Sequence, residues 1–265
     1  MDRRCLLAGV TLKIFITGST DGLGRSAAST LMAEGHEVVL HARSAERASA
    51  LADLAPRSPG VVIGDLSSAI ETRAIADQVN KIGRMDAVIH NAGIYLERSR
   101  GKTPEDHART LAANTLAPYM LTALIDRPDR VIYLSSGMHR GGDGSLRDID
   151  WLERRWDASL AYSESKLYVA ALAFAVARLW PDVLSNAVDP GWVPTKMGGA
   201  GAPDDLEMGH LTQTWLAVSN DSAARISGAY WHHRKQQKPA LPVLDAGFQD
   251  QLMAKLAQLT GISFA

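Results

Sequence analysis

Cysteine is almost missing from this 265-residue chain. Its one thiol, Cys5, excludes an internal disulfide framework and any cysteine-built zinc site. An excess of charge of one sign is missing too: 28 Lys and Arg stand against 29 Asp and Glu, a formal net charge of −1. Neither nucleic acid nor an anionic membrane surface is offered an electrostatic handle. No apolar run approaches the ~18 residues that a membrane span requires. Arg3 and Arg4 followed by Cys5–Val10 sketch the start of a signal peptide, but the apolar stretch is short and Lys13 interrupts it. The chain therefore reads as cytoplasmic. Internal repeats, low-complexity tracts and long linkers are also missing, so one domain over residues 1–265 is expected.

What is present is an ordinary globular composition, 46% hydrophobic and 22% charged with 22 Gly and 11 Pro, which rules out disordered, collagen-like and coiled-coil chains. The length suffices for a large core, and α/β folds often reach ~250 residues as one unit. Short apolar runs rich in β-branched residues fall at Leu12–Thr17, Glu37–His41, Val61–Ile63, Ala87–His90, Arg130–Leu134, Leu184–Ala187 and Ala229–Trp231. Segments of helical period separate them, at Leu23–Glu34, Ala45–Leu54, Glu71–Ile82, Pro104–Leu124, Ala161–Leu179 and Gln249–Leu259. Continuous rather than alternating apolar strands imply burial on both faces. The alternation predicts a single-domain α/β Rossmann fold: a doubly wound parallel sheet of about seven strands with helices on both faces. Two stretches follow strands and are expected to form the substrate-side loops: a polar, glycine-rich one at about 137–157, and one at about 191–215 that carries Pro194 and Pro203 with glycines between them.

The first strand runs into Gly18-Ser19-Thr20-Asp21-Gly22-Leu23-Gly24 and then a helix. In that context glycines let backbone approach a pyrophosphate, and helix N-terminal amides face it. The spacing is Gly-x-x-x-Gly-x-Gly, and taken alone it fits a plain glycine turn equally well. After the second strand stands Arg43, where an NAD site usually places an acidic residue. A guanidinium suits a ribose 2′-phosphate, so NADP(H) is favoured over NAD(H). Arg25 either assists or faces water.

Tyr162 and Lys166 share a helical face at i and i+4. A tyrosine working near neutrality needs its pKa of ~10 lowered, and a nearby lysine cation supplies part of that. Ser135 and Ser136 end the Arg130–Leu134 run, where a hydroxyl can hold a substrate oxygen as charge develops on it. Asn91-Ala92-Gly93 and Asp189-Pro190-Gly191, with Thr195 beyond, follow two further strands. In a parallel sheet these carboxyl ends share one edge, so the motifs converge on one crevice.

These motifs, in this order and with Asn114 between them, resemble the short-chain dehydrogenase/reductase family over about residues 12 to 260. The long interval from Ser136 to Tyr162, holding Met138-His139 and Asp148-Ile149-Asp150, looks most like the branch of retinol-dehydrogenase-like and WW-domain-oxidoreductase-like enzymes. The resemblance implies that Tyr162 exchanges a proton with the substrate oxygen and Ser136 holds that oxygen. Lys166 would bind the nicotinamide ribose, and Asn114 would hold a water linking Lys166 to solvent. Asp65 and Leu66 would flank adenine, Asn91 and Gly93 would line the ribose, and Pro190, Gly191, Val193 and Thr195 would bracket the carboxamide. Position 189 is Asp where that branch often has His.

The expected function is therefore NADP(H)-dependent interconversion of an alcohol and a carbonyl on a small molecule. A silent NADP(H)-binding regulatory module would not need Tyr162, Lys166, Ser136 and Asn114 together. An epimerase or dehydratase on the same fold would want a further domain for a nucleotide sugar. A homodimer pairing the Pro104–Leu124 and Ala161–Leu179 helices is expected, eased by the small side chains of Ala170–Ala177. No metal is expected: His232 and His233, adjacent in a strand, should point to opposite faces with no third ligand near. Trp192, Met197, Met208 and Trp215 suit either an apolar pocket or core packing. Trp151 and Trp156 suit either a cleft cover or a loop anchor, and His139 suits a structural role.

Overall fold

Eight strands form one sheet in the order β3-β2-β1-β4-β5-β6-β7-β8. The computed structural model describes residues 10–95 and 97–264, so Arg3, Arg4, Cys5 and most of the Cys5–Val10 stretch lie outside the described residues. In chain order the elements are β1 (Lys13–Ile16), α1 (Gly22–Ala33), β2 (Glu37–Ala42), α2 (Ala45–Ala48), β3 (Val61–Ile63), α3 (Ala69–Ile82) and β4 (Ala87–His90). There follow α4 (Arg109–Leu111), α5 (Ala117–Leu124), β5 (Arg130–Leu134), α6 (Ala158–Leu179), β6 (Leu184–Asp189) and α7 (Met208–Val218). The chain finishes with β7 (Ala229–His232), β8 (Lys235–Gln237), α8 (Leu241–Leu244) and α9 (Ala246–Thr260).

β1 to β7 are parallel, and β8 returns antiparallel on β7. The order reverses between β1 and β4, the switch point at which open α/β sheets form their ligand crevice. Successive β1 residues face opposite sides: Ile14 and Ile16 pack with Leu31 of α1 and Leu216 of α7, while Phe15 packs with Ile75 of α3 and Leu121 of α5. Both faces are covered, which is why the strands carry apolar side chains without alternation.

Three departures from the sequence reading have physical causes. The sheet has eight strands rather than about seven, because the fully exposed β8 is polar (Lys-Gln-Gln) and gives no apolar signal. The stretch expected as a loop over 191–215 ends in α7, whose Gly209, Thr212 and Leu216 are buried. The helix expected from Pro104 starts only at Arg109, because Asp106 takes a positive φ of 70°. Between α4 and α5 the chain widens into a π-helical turn, Ala112–Leu116, carrying Asn114.

α6 is long and apolar enough to cross a membrane by length and composition, yet 83% of that window is buried inside the protein. α9 packs along it, and Leu252 and Leu256 join Leu172 and Val176 in one apolar cluster. Ala170, Ala171 and Ala173 are thus buried within the chain itself.

Candidate active site

Thr17, just after β1, ties two loops together. Its Oγ1 accepts from the backbone amides of Asn91 and Ala92, each at 3.0 Å, while Asn91 Nδ2 donates to the carbonyl of Thr17 at 3.0 Å and of Gly18 at 3.3 Å. Gly18 has φ +69°, and a Cβ at Gly24 would lie 2.3 Å from both the Gly18 carbonyl oxygen and Asn91 Nδ2. Only glycine fits so close an approach. Beneath the turn, His41 accepts from the Gly18 amide through Nδ1 at 2.9 Å and donates through Nε2 to Gly64 at 2.9 Å. Burial pushes its pKa down, which keeps the imidazole neutral in this role.

Several expected nucleotide contacts thus have structural duties. Ser19 is fully buried and donates to the Ile16 carbonyl at 2.7 Å, Asn91 spends its amide on the turn, and Leu66 is buried in the core. Asp65 accepts from Ser67. Thr20 and Asp21 meet Arg47, at 3.1 and 2.8 Å, and Lys196 reaches Asp21 from the far loop at 3.1 Å. Burial raises the Asp21 pKa, but the Lys196 and Arg47 bonds outweigh it, and the net shift is downward. No side chain caps α1, so its first amides point outward above the glycine cradle. Those amides and that cradle fit a pyrophosphate.

Arg43 is exposed and has no partner among the described residues, whereas Arg25 is held by Asp53 at 2.7 Å and by the Ala50 carbonyl. Arg25 is accordingly occupied, and Arg43 is available to a ligand.

At the carboxyl ends of β5 and β6 lies a cavity of about 530 Å³. Ser136, Tyr162, Pro190, Gly191, Val193 and Thr195 line it, and so does Leu23 of α1. Ser136 caps the turn after β5, its Oγ accepting from the Met138 amide at 3.2 Å. Burial raises the Tyr162 pKa, the Ser136 hydroxyl pulls it down, and Tyr95 and Asp189 push it up further. Tyr95 meets the Tyr162 ring edge-on, with centroids 4.5 Å apart. Lys166 Nζ lies 5.6 Å from the Tyr162 ring centroid and donates to the Leu134 carbonyl at 2.8 Å. Burial pushes the lysine pKa down to about 8. A Cβ on Gly93 would stand 3.3 Å from Lys166 Nζ, so the glycine keeps room beside the ammonium.

The Asn114 side chain clamps residue 94: Oδ1 accepts from the Ile94 amide at 2.8 Å, and Nδ2 donates to the Ile94 carbonyl and to Ser165 Oγ, each at 3.0 Å.

The residues weighed two ways now separate. Trp192 and Met197 line the cavity, while Trp215 packs edge-on against Trp231 at 5.3 Å and Met208 opens α7. Trp151 and Trp156 anchor their loop: Trp151 donates to the buried Glu164 at 3.0 Å, and Arg154 closes on the same carboxylate with two bonds of 2.7 and 2.6 Å. His139 is buried behind Ser136. The rings of His232 and His233 do not diverge. They stack with centroids 3.9 Å apart, because His233 has left the strand with φ 47°. Among the described residues no group of three or more His, Cys, Asp or Glu is placed to hold a metal. Sequence reasoning missed the parts played by His41, by Tyr95 and by Asp204, whose Oδ2 accepts from the Trp192 amide at 2.6 Å on the cavity wall. Thr17 stands in the glycine motif, but its bridge to the Asn91 and Ala92 amides has no sequence signal.

A parallel sheet with a glycine-cradled switch point and a polar-floored crevice defines a Rossmann-type dinucleotide-binding protein. The model of the short chain dehydrogenase family matches residues 13–136. Short-chain dehydrogenase chry4 of Gibberella zeae is 39% identical over 254 residues, covering 94% of this chain and 97% of that protein. Human retinol dehydrogenase 13 is 26% identical over 281 residues, covering 94% and 84%. An uncharacterised protein from Mycobacterium paratuberculosis superposes with a TM-score of 0.82 at 25% identity over 97% of this chain and 100% of its own. A blue fluorescent protein from a metagenomic library, solved with NADPH, superposes with a TM-score of 0.67 at 21% identity over 83% and 95%. The chain belongs to the short-chain dehydrogenase/reductase family, and its relatives include those of the retinol-dehydrogenase-like branch.

Proposed function

We propose that this oxidoreductase interconverts an alcohol and a carbonyl on an apolar small molecule, with NADP(H) as its preferred cofactor. The observation that carries this reading is the meeting of Ser136 and Tyr162 on one cavity of about 530 Å³, with Lys166 directly behind the phenol. A bound NADPH would supply the hydride. The remaining work belongs to the chain. The Ser136 hydroxyl donates to the substrate oxygen and holds it as negative charge develops. The Tyr162 phenol gives its proton to that oxygen in reduction and takes one back in oxidation.

Burial alone leaves Tyr162 too weak an acid for this work, so nearby positive charge must offset it. Lys166 supplies part of that charge, and Gly93 leaves room beside its ammonium where a ribose hydroxyl would bind. Asn114 positions this group by clamping residue 94.

The preference for NADP(H) rests on Arg43, exposed just beyond β2 and without a partner among the described residues, whereas the neighbouring Arg47 is already held by Asp21 at 2.8 Å. An unpaired guanidinium at that edge suits a 2′-phosphate better than bare ribose hydroxyls. The NADPH complex of the metagenomic neighbour is in keeping with this choice.

The experiment is titration of the purified protein with NADPH and NADH, followed by nucleotide fluorescence over a panel of aldehydes and ketones. Tight NADPH binding and its oxidation by a carbonyl compound is the expected result. Binding without turnover across the panel would favour a silent nucleotide-binding module, and no binding of either nucleotide would remove both readings.

A further inference from the structure

Two carboxylates that the chemistry above does not use line the cavity: Asp204, whose Oδ2 accepts from the Trp192 amide at 2.6 Å, and Asp189, which stands beside the reacting groups. The register pairs Leu134 with Val188, and the Ser135 amide donates to the Val188 carbonyl at 2.7 Å. Asp189 therefore stands one strand spacing, about 4.8 Å, from the Ser135–Ser136 pair. Its side chain is 17% exposed. Oδ1 accepts from the Gly191 amide at 3.0 Å, which fixes the carboxylate plane. Oδ2 faces Gly137, where a Cβ would lie only 3.1 Å away. The nearest cationic candidate is His232, whose Nδ1 lies 3.8 Å from Oδ2 but 3.2 Å from the Asp189 carbonyl oxygen, the closer acceptor. Oδ2 thus receives no hydrogen bond from the described residues.

The other walls are of a different character. Tyr95, Met138, Trp192 and Met197 make the cavity largely apolar and partly aromatic. A substrate that fills it strips water from Oδ2, and an acceptor stripped of water without a replacement donor is costly. The substrate itself must bring the donor. The charge is also felt at the reacting end, since Asp189 pushes up the pKa of the Tyr162 phenol.

We propose that Asp189 is the specificity-determining anchor of this cavity, its Oδ2 accepting a hydrogen bond from an N–H or O–H of the substrate. The substrate class is then a ring-bearing ketone or aldehyde with a donor on the carbon next to the carbonyl, or one atom beyond. Keto acids are excluded, because their carboxylate would face a like charge in a confined space. This assignment rests on the carbonyl-reductase reading given above.

The test compares 2-hydroxyacetophenone, 2-methoxyacetophenone and benzoylformate as substrates with NADPH. The wild type is expected to favour the hydroxy over the methoxy ketone by about tenfold in kcat/KM, chiefly through KM, and to leave benzoylformate unreduced. Asp189→Asn keeps an oxygen for the Gly191 amide and removes the charge. The preference should fall toward one. NADPH affinity, read by fluorescence titration, reports whether the variant keeps its fold, and the wild-type ratio decides alone if it does not.

A wild-type ratio near one, or a ratio unchanged in Asp189→Asn, overturns the assignment and leaves the reductase reading standing. NADPH binding without oxidation by any carbonyl compound tested overturns both.

Discussion

His139 Nδ1 lies 2.8 Å from the carbonyl oxygen of Ser136, and the imidazole is fully buried. Its Nε2 accepts from the Ala240 amide at 3.0 Å, so Nδ1 carries the hydrogen and donates to Ser136. The Tyr230 hydroxyl lies 3.1 Å from the same nitrogen. One fully buried imidazole thus ties the end of β5 to β7 and to the start of α8, and burial lowers its pKa so that it stays neutral there. His139 is a positioning residue for Ser136. His139→Ala should lower kcat by about tenfold while leaving NADPH affinity unchanged, and His139→Asn should recover part of the loss. Equal losses in both variants, together with lost NADPH binding, would show a purely structural prop.

Tyr162→Phe should remove most turnover, at least a hundredfold in kcat, because it deletes the proton donor and nothing else. NADPH affinity should stay within about twofold, since the phenol faces substrate. Stopped-flow single turnover separates the two effects, and retained turnover would take Tyr162 out of the mechanism.

Arg43→Asp should weaken NADPH binding by tenfold or more, as expected for loss of a charge-assisted bond, and should strengthen NADH binding. If paired titrations show an unchanged preference, Arg47 is the phosphate reader, and its release from Asp21 becomes the step to examine.

Lys166→Met should abolish turnover and leave the protein at least as stable. Burial lowers the Lys166 pKa to about 8 from the ordinary 10.5 of a lysine, so charging it in the fold costs about 3 kcal/mol. A methionine fills similar space without that cost. The cost appears as pH falls from the unfolded value through the folded one. The stability gain of Lys166→Met in thermal unfolding should therefore be larger at pH 7 than at pH 10. A less stable variant at pH 7 would refute this accounting.

His107 and Asp150 meet at 2.5 Å and fasten the loop before α4 to the loop that carries Trp151. The bond to Asp150 raises the His107 pKa despite its burial. Stability from this pair is complete below the unfolded value of ~6.5 and is lost as pH rises through the higher folded value. The gap in melting temperature between wild type and His107→Gln should accordingly narrow from pH 6 to pH 9. A gap that widens would contradict the sign.

Much of this was readable in the chain itself, and the parts that were not have identifiable causes. Val61–Ile63, Ala87–His90 and Arg130–Leu134 are strands with the bounds read from the sequence, and the latter two are buried at every position, so their apolar stretches show no alternation. Tyr162 and Ser136 meet on one cavity because parallel strands bring their carboxyl ends to one edge. Side-chain direction was less legible. Ser19 and Asn91 sit where a nucleotide contact is expected, yet both turn inward to hold the glycine turn, a choice set by His41 and Thr17 from other strands. The polar β8 exists through its hairpin with β7 and not through any hydrophobic pattern.

The packing of α9 on α6 sets an order on how the chain can be made. The helix with membrane-like hydropathy leaves the ribosome well before its cover, since everything between Leu179 and Ala246 has still to be synthesised, several seconds at ~5–20 residues per second. During that interval the nascent chain carries its most apolar segment half-wrapped. The last residues close the wrap: the Tyr119 hydroxyl donates to the Ile262 carbonyl at 2.7 Å, and the Phe264 ring packs against Trp180. Removing Ile262 and Phe264, far from any reacting atom, would take these contacts from Tyr119 and Trp180 and lengthen that stage.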